Sequence, residues 1–209
     1  MPAMPAEAAN SRTGDKAMSV QEAVSVQITR HRFTVAEYER MGRVGIFSPE
    51  ERVELVYGEI VQMSPVGERH AACVNALDEI VRERLGRSVT ISIQNPVLLD
   101  DFSEPQPDLL ILKRRADFYR HAHPRPEDVL LVIEVSDSTL ELDRKVKIPL
   151  YAGAAIPEAW VVNLPEERIE VYADPAGGIY QVVNFYARGE ELQARAFASL
   201  RLSVAEVLG

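Results

Sequence analysis

The clearest hydrophobic pattern in the chain runs from Glu68 to Leu85. Apolar residues recur there at spacings of three and four, with charged residues off that stripe, which predicts an amphipathic helix ended by Gly86. Capping-box spacing, a Ser or Thr followed three residues later by Glu, predicts further helix starts at Thr34, Ser48, Ser138 and Ser203. We expect those helices over residues 35–41, 49–55, 139–154 and 204–208. Pro149 predicts a kink in the third.

Short apolar runs between these helices predict the strands of a sheet. The run Val129–Ile133 has no polar alternation, which indicates a strand covered on both faces and therefore an α/β (α+β) arrangement with helices layered on the sheet. The segment Asp174–Gly178 predicts the turn of a hairpin near the C-terminal end. The expected strands cover residues 59–63, 89–93, 96–99, 108–112, 129–135, 159–162, 168–172 and 179–185.

Length and composition fit one folded domain. The 209 residues are 46% hydrophobic and 26% charged, as in globular proteins. Residues 1–31 are rich in Ala, Ser and Pro without a sustained period, so we expect a disordered tail there and the folded domain over residues 32–209. No apolar run approaches the roughly 20 residues that a membrane-spanning helix needs, so no membrane is expected as a partner.

Charge and cysteine content limit the remaining classes of function. The net charge of -9 repels phosphate backbones, so any nucleic-acid binding must be local. Cys73 is the only cysteine, which excludes an internal disulfide and a cysteine-based zinc site. The first residues do not have the pattern of a secretory signal, and we expect a cytoplasmic protein.

Two carboxylates stand out because each lies at the edge of a strongly apolar strand, where a charge is costly unless it is paired or binds a metal. They are Asp108 and Glu134. If their strands are neighbours, both carboxylates can meet at one end and form a site for Mg²⁺ or Mn²⁺, with the backbone carbonyl of Val135 as a third ligand.

Lys147 is the basic residue expected at this site. It lies on the predicted helix after Glu134, and the spacing places Asp143 and Tyr151 on the same helical face. A lysine near a bound metal would help to stabilise charge on a phosphodiester. Glu54 and Glu59 are candidates for a further carboxylate.

A resemblance goes further than these spacings. Pro107-Asp108, followed by Glu134-Val135, resembles the P-D...(D/E)-x-K pattern of the restriction-endonuclease-like nuclease superfamily. Longer stretches resemble the Uma-type family of that superfamily over roughly residues 33–208. These stretches are residues 54–65, 106–109, 133–139, 143–151 and 156–162.

The resemblance implies a mixed central β-sheet flanked by helices and Mg²⁺-dependent cleavage of DNA phosphodiesters; the oxygen ligands described above would also suit Mn²⁺. By position, Asp108 and Glu134 would hold the metal, Lys147 would be the catalytic lysine and Glu54 an accessory acid. One departure is that Ser136 occupies the position where the broad pattern has its lysine, and Lys147 on the following helix would replace it.

Ordinary structural roles remain open for each of these residues. Asp108 could cap a loop, Lys147 could be solvated, and Glu54 could pair with Arg52 or Arg32. His70 could face the cleft, although a histidine at a helix start is more often exposed. For the whole chain, the alternative is a catalytically silent nuclease fold that binds a protein or nucleic acid, alone or as a homodimer. Convergence of the carboxylates with Lys147 would favour the nuclease. DNA would then contact a basic face, for which the candidates are Lys113, Arg114, Arg115, Arg144 and Lys145.

Overall fold

The computed structural model describes residues 29–209, so the predicted tail lies outside the described part except for residues 29–31. Six strands form a central sheet in the order β3-β4-β5-β6-β7-β8, in which only β5 and β6 run parallel. The expectation of a mixed sheet is therefore confirmed. The strands of the described chain are β1 (Val53–Val56), β2 (Glu59–Gln62), β3 (Val89–Ile93), β4 (Leu109–Lys113), β5 (Val129–Ser136), β6 (Glu158–Asn163), β7 (Arg168–Ala176), β8 (Ile179–Ala187), β9 (Glu191–Gln193) and β10 (Arg201–Ser203).

Helices cover both faces of the sheet, as the unbroken apolar run in β5 predicts. The long helix α2 packs its buried stripe on one face, where Trp160 of β6 is fully buried, and the last helix docks there too. The segment between β5 and β6 packs on the other face around Tyr151. Two separate hydrophobic cores result. The helices are α1 (Val35–Arg43), α2 (Glu68–Leu85), α3 (Leu140–Leu142), α4 (Ile148–Gly153) and α5 (Val204–Leu208).

The helix expected from Ser48 to Leu55 is wrong. The Ser48 N–H is bonded to the Glu51 side chain at 2.7 Å, but the backbone closes a single turn and continues into β1. β1 pairs with β2 as an antiparallel hairpin in which Leu55 lies opposite Ile60. The capping signal is local and suits a turn as well as a helix, and the pairing with β2 decides between them.

The segment that connects β5 to β6 is helical but not uniformly α. Residues Asp143–Lys147 form a π-helical turn between α3 and α4, and the N–H of Ile148 binds the carbonyl of Asp143, five residues back. Pro149 follows directly and has no N–H for the α-helical ladder. The predicted irregularity is therefore present, as a wide turn. The capping box expected at Ser138 is absent, since Thr139 precedes the helix and Glu141 pairs with Lys145.

The remaining helix predictions are confirmed, whereas one strand prediction is wrong and one hairpin of short strands was not predicted. The α2 bounds and the capping boxes of Thr34 and Ser203 are confirmed. The strand expected over residues 96–99 is wrong, because Pro96 starts an irregular segment in which Val97 and Leu99 each make a single backbone bond to the loop of residues 103–105. The β9–β10 hairpin was not predicted, since each of its strands has only three residues.

Candidate active site

The sheet register brings Asp108 and Glu134 together. Leu109, the first residue of β4, pairs with Ile133 of β5, so the residues just beyond that pair, Asp108 and Glu134, meet at the same end of the sheet. The N–H of Asp108 lies 3.4 Å from Glu134 Oε2. Both side chains are buried. The predicted meeting of the two carboxylates is therefore present.

Val135 supports the same corner with its backbone. Its N–H donates to Asp108 Oδ2 at 2.9 Å. In a strand the N–H and C=O of one residue point to the same side, so the Val135 carbonyl points toward the edge that Asp108 occupies, beyond the last paired residues of β4 and β5.

Lys147 lies between two of the carboxylates. Its Nζ is 3.2 Å from Glu54 Oε2 and 3.3 Å from Glu134 Oε1, and only 6% of its side chain is exposed. Burial alone would lower the pKa of Lys147, but the surrounding carboxylates, Glu134 first, raise it above its ordinary value. The lysine is therefore a buried ammonium group. The alternative of a solvated lysine is wrong.

Glu54 reaches the site from the β1–β2 hairpin. Its Oε2 accepts the N–H of Gln106 at 2.9 Å, and the bridge between Leu55 and Glu104 fixes the hairpin to the loop that leads into β4. Glu54 binds Lys147 and neither of the arginines, Arg52 and Arg32, proposed as its partners. Glu59 is exposed on β2 and does not line the cleft.

Tyr151 and Asp143 share the helical face of Lys147, as predicted. The Tyr151 hydroxyl donates to Glu134 Oε1 at 2.5 Å. Asp143 Oδ2 accepts the hydroxyls of Ser136 at 2.6 Å and Thr139 at 2.7 Å. Burial raises the pKa of Asp143 despite these bonds and the nearby lysine. The π-helical turn therefore begins at Asp143, which is bonded to Ser136 at the end of β5, and ends at Lys147 in the site.

The pKa of Glu134 is raised to about 8. Burial is the main cause, and Lys147 opposes it only in part, while Asp143, Asp108 and Glu54 add further negative charge. The pKa of Asp108 shifts in the opposite direction, because its hydrogen-bond donors lower it by more than burial raises it. Burial would raise the pKa of Asp108, but the bonds from His70, Val135 and Gln94 bring it below the ordinary value.

His70 and Gln94 are the partners of Asp108 that the sequence did not identify. His70, in the first turn of α2, places Nε2 3.0 Å from Asp108 Oδ2, and this bond raises the pKa of the imidazole. Gln94 has a positive φ of 50°, and its Nε2 donates to Asp108 Oδ1 at 3.2 Å. The prior expectation of an exposed histidine is wrong here, since 14% of the His70 side chain is exposed. The one sequence signal that placed His70 near the cleft was its position at the start of the long helix.

The candidate basic face is largely neutralised by acidic neighbours. Arg144 binds the buried Glu170, Lys145 binds Glu141, and Arg115 binds Asp117. These three cations are therefore occupied within the chain. Lys113 ends β4, and Arg114 follows it in the next loop.

The two central carboxylates and their partners line a cleft of about 220 Å³. Asp108, Glu134, Lys147 and Glu54 all face it, together with His70, Gln94 and Asp143. Five separate parts of the fold therefore contribute to one cavity: the β1–β2 hairpin, the start of α2, the end of β3, the β4–β5 corner and the helical segment between β5 and β6.

The donor chemistry fits Mg²⁺ or Mn²⁺ held by two carboxylates and water. Asp108 Oδ1 and Glu134 Oε2 each receive one long hydrogen bond, at 3.2 and 3.4 Å, so both oxygens remain available to a cation. Within residues 29–209 no three His, Cys, Asp or Glu side chains form a cluster suited to a metal ion. A cation here would therefore keep several water ligands.

The comparisons agree with this fold. The six-stranded mixed sheet with helices on both faces defines an α+β protein of a nuclease-like fold class, which a solved structure shares. Residues 35–205 match the family Uma2, described as "Putative restriction endonuclease". The chain belongs to this family, and the resemblance seen in the sequence is confirmed.

One solved structure shows the same fold. It is "a putative nuclease belonging to DUF820" from Anabaena variabilis ATCC 29413, with a TM-score of 0.65, 16% identity, and coverage of 84% of this chain and 97% of that one. The comparison with curated proteins gave no match. No helix within residues 29–209 is long and apolar enough to cross a membrane.

Proposed function

We propose that the chain is a Mg²⁺-dependent endonuclease that hydrolyses phosphodiester bonds of DNA. One observation carries this proposal: Asp108, Glu134, Lys147 and Glu54, which are far apart in the sequence, converge in one cleft with each no more than 8% exposed. Burial of three carboxylates around one ammonium group is costly for folding, which favours a functional reason for keeping them.

In this proposal Asp108, Glu134 and the Val135 carbonyl hold the cation, with Mn²⁺ as a substitute for Mg²⁺. When bound, the cation would polarise the phosphate and lower the pKa of a water molecule. His70 and Gln94 orient Asp108, and Tyr151 orients Glu134, through the hydrogen bonds described above.

Lys147 has an electrostatic role in this reaction. Its raised pKa keeps the ammonium group charged at neutral pH, so it does not act as a base. It would stabilise the negative charge that develops on the phosphate in the transition state. Glu54 holds Lys147 in place through the contact at 3.2 Å. Asp143 lines the cleft but is not a cation ligand in this proposal, since its Oδ2 already accepts the hydroxyls of Ser136 and Thr139.

A catalytically silent fold is the second candidate, and one observation favours it. The hydrogen bonds from Val135, His70, Gln94 and Tyr151 already engage the two central carboxylates, and a silent module would keep such a network only for stability. Such a module would bind a protein or nucleic acid, alone or as a homodimer.

Cleavage of supercoiled and linear DNA distinguishes the two candidates. Wild-type protein, Asp108→Ala and the exposed control Asp101→Ala should be purified in the same way and assayed with Mg²⁺, Mn²⁺ or EDTA. We expect metal-dependent cutting by the wild type and the control, and no cutting by Asp108→Ala, because the variant loses a cation ligand.

Equal activity of Asp108→Ala and the wild type would identify a contaminating nuclease and contradict the proposal. Inactivity of every protein, with no heat of Mg²⁺ or Mn²⁺ binding in calorimetry, would favour the silent module instead.

A further inference from the structure

A second cavity lies at the other end of β3 from the cleft. Its volume is about 410 Å³, and its walls come from the end of α2, the start of β3 and the loop after β4. It shares no lining residue with the cleft. Pockets of several hundred Å³ are large enough for a small organic group such as a nucleotide.

The charge of this cavity is opposite to that of the chain. Arg82, Arg87 and Arg114 line it, whereas no acidic residue does, although the chain carries a net charge of -9. Arg82 pairs with Asp78. Arg87 and Arg114 are exposed, and neither forms an ion pair with another residue of the described chain. Two guanidinium groups are therefore free to bind an anion.

An aromatic side chain completes the cavity. Phe118 is 59% exposed, and the Arg114 guanidinium lies over its ring at 4.1 Å from the centroid. Phe118 and Tyr119 both have positive φ, at 52° and 60°, a conformation that bulky residues rarely adopt. Strained backbone at consecutive residues is more typical of functional loops than of plain connections. Here the strained loop holds an exposed aromatic ring, with Arg114 over one face, beside two arginines that have no ion-pair partner in the described chain.

We propose that this cavity binds a nucleic-acid strand, with Arg87 and Arg114 on its phosphates and Phe118 stacked on a base. The planar guanidinium matches the geometry of phosphate, and exposed aromatic rings stack on unpaired bases of any sequence. An acidic peptide would use the arginines but would not need a solvent-exposed ring, so the combination favours nucleic acid.

The position of this cavity relative to the cleft is consistent with one continuous nucleic-acid strand that reaches both. Thr90 lines this cavity and Gln94 lines the cleft, and four residues of β-strand span about 13 Å. That distance equals about four base-pair steps along a duplex axis. A strand cut in the cleft could therefore place its flank in the cavity. Binding itself does not depend on the proposed cleavage.

The test measures binding of a fluorescein-labelled single-stranded oligonucleotide by anisotropy, in EDTA so that no cleavage occurs. The variants are Arg87→Glu with Arg114→Glu, and Phe118→Ala. The control is Arg40→Glu, which reverses an exposed arginine on α1 outside both cavities. Thermal melts verify that every variant is folded.

We expect the double variant to bind about tenfold more weakly and to lower the slope of log K against log salt by about 1.4, since each phosphate contact contributes about 0.7 on single strands. Phe118→Ala should weaken binding about fivefold or more through the lost stacking. The control should bind like the wild type.

No binding by the wild type, or equal binding by all variants, would overturn this proposal. Binding that falls equally in the control would overturn it as well, since only net charge would then matter. Wild-type binding without DNA cleavage in the preceding assay would contradict the endonuclease and leave the nucleic-acid site in place.

Discussion

Replacing Lys147 with methionine tests whether the buried ion cluster exists as described. Lys147 Nζ lies within 3.3 Å of both Glu54 and Glu134, and the exposed fractions of the two carboxylate side chains are 2% and 3%. Methionine fills a similar volume without charge. The variant therefore leaves two carboxylates buried beside each other without their ammonium partner.

The expected loss is large because the partners stay buried. Removal of one member of a buried ion pair typically costs about 3–5 kcal/mol in the free energy of unfolding. Lys145→Met is the matched control, since Lys145 lies two residues away, is exposed and pairs only with the exposed Glu141. Surface pairs of that kind contribute little, so the control should unfold like the wild type.

The loss should also depend on pH. Burial already raises the pKa of Glu134 to about 8, and loss of the ammonium group raises it further. An acid with a raised pKa binds protons more tightly in the folded state, so the stability of the variant falls as pH rises above about 4.5. The pKa of Lys147 is raised above 10.5, so the lysine does not titrate in this range. The wild type shares this slope up to about pH 8, where its own Glu134 ionises in the folded state, so the gap between variant and wild type should widen above about pH 8.

Urea denaturation followed by fluorescence gives these free energies. Trp160 is the only tryptophan and is fully buried, so its emission reports unfolding of the sheet. Equal midpoints for Lys147→Met and Lys145→Met, or a gap that does not change with pH, would refute the buried cluster.

Three further predictions concern the same cleft and its surroundings. Mg²⁺ at about 100 times its dissociation constant should stabilise the wild type by about 2.7 kcal/mol in thermal melts, and Asp108→Asn should lose this gain because a ligand is missing. Histidine-ring NMR should give His70 a pKa above 6.5 in the wild type and a lower pKa in Asp108→Asn, since the Asp108 bond is the main cause of the raised value; an unchanged pKa would contradict that bond. Burial raises the pKa of Cys73 to about 12, so Ellman's reagent should label it only after unfolding, and fast labelling of the native protein would contradict its burial.

The elements that could be predicted from the sequence are those with long patterns. The α2 helix repeats its apolar stripe over 18 residues, and β5 is apolar on both faces, so packing and periodicity agree. The pairing of Asp108 with Glu134 followed from the ends of two such strands. By contrast, β1 spans four residues and owes its conformation to β2, which no local pattern at Ser48 reveals.

The partners within the site were harder to predict because they depend on contacts across the sequence. His70 and Gln94 come from two elements that meet only when α2 and β3 pack beside the β4–β5 corner. Proline at position 149 indicated an irregular helix, but not that the wide turn lies before it. That turn is set by tertiary contacts, since Asp143 must reach Ser136 on β5 while Lys147 reaches Glu54 on the hairpin.

The charges within the cleft explain why a cation is expected there. Five carboxylates line it, those of Glu54, Asp108, Glu134, Asp137 and Asp143, against two permanent cations, Arg52 and Lys147, and one imidazole, His70. Negative charge therefore exceeds positive charge in a buried volume, and burial first, with the neighbouring carboxylates after it, raises the pKa values of Glu134 and Asp143. A divalent cation would offset this excess and favour the ionised form of both carboxyl groups. The same arrangement that makes the cleft costly for the isolated chain is the one that would bind Mg²⁺ and a phosphate together.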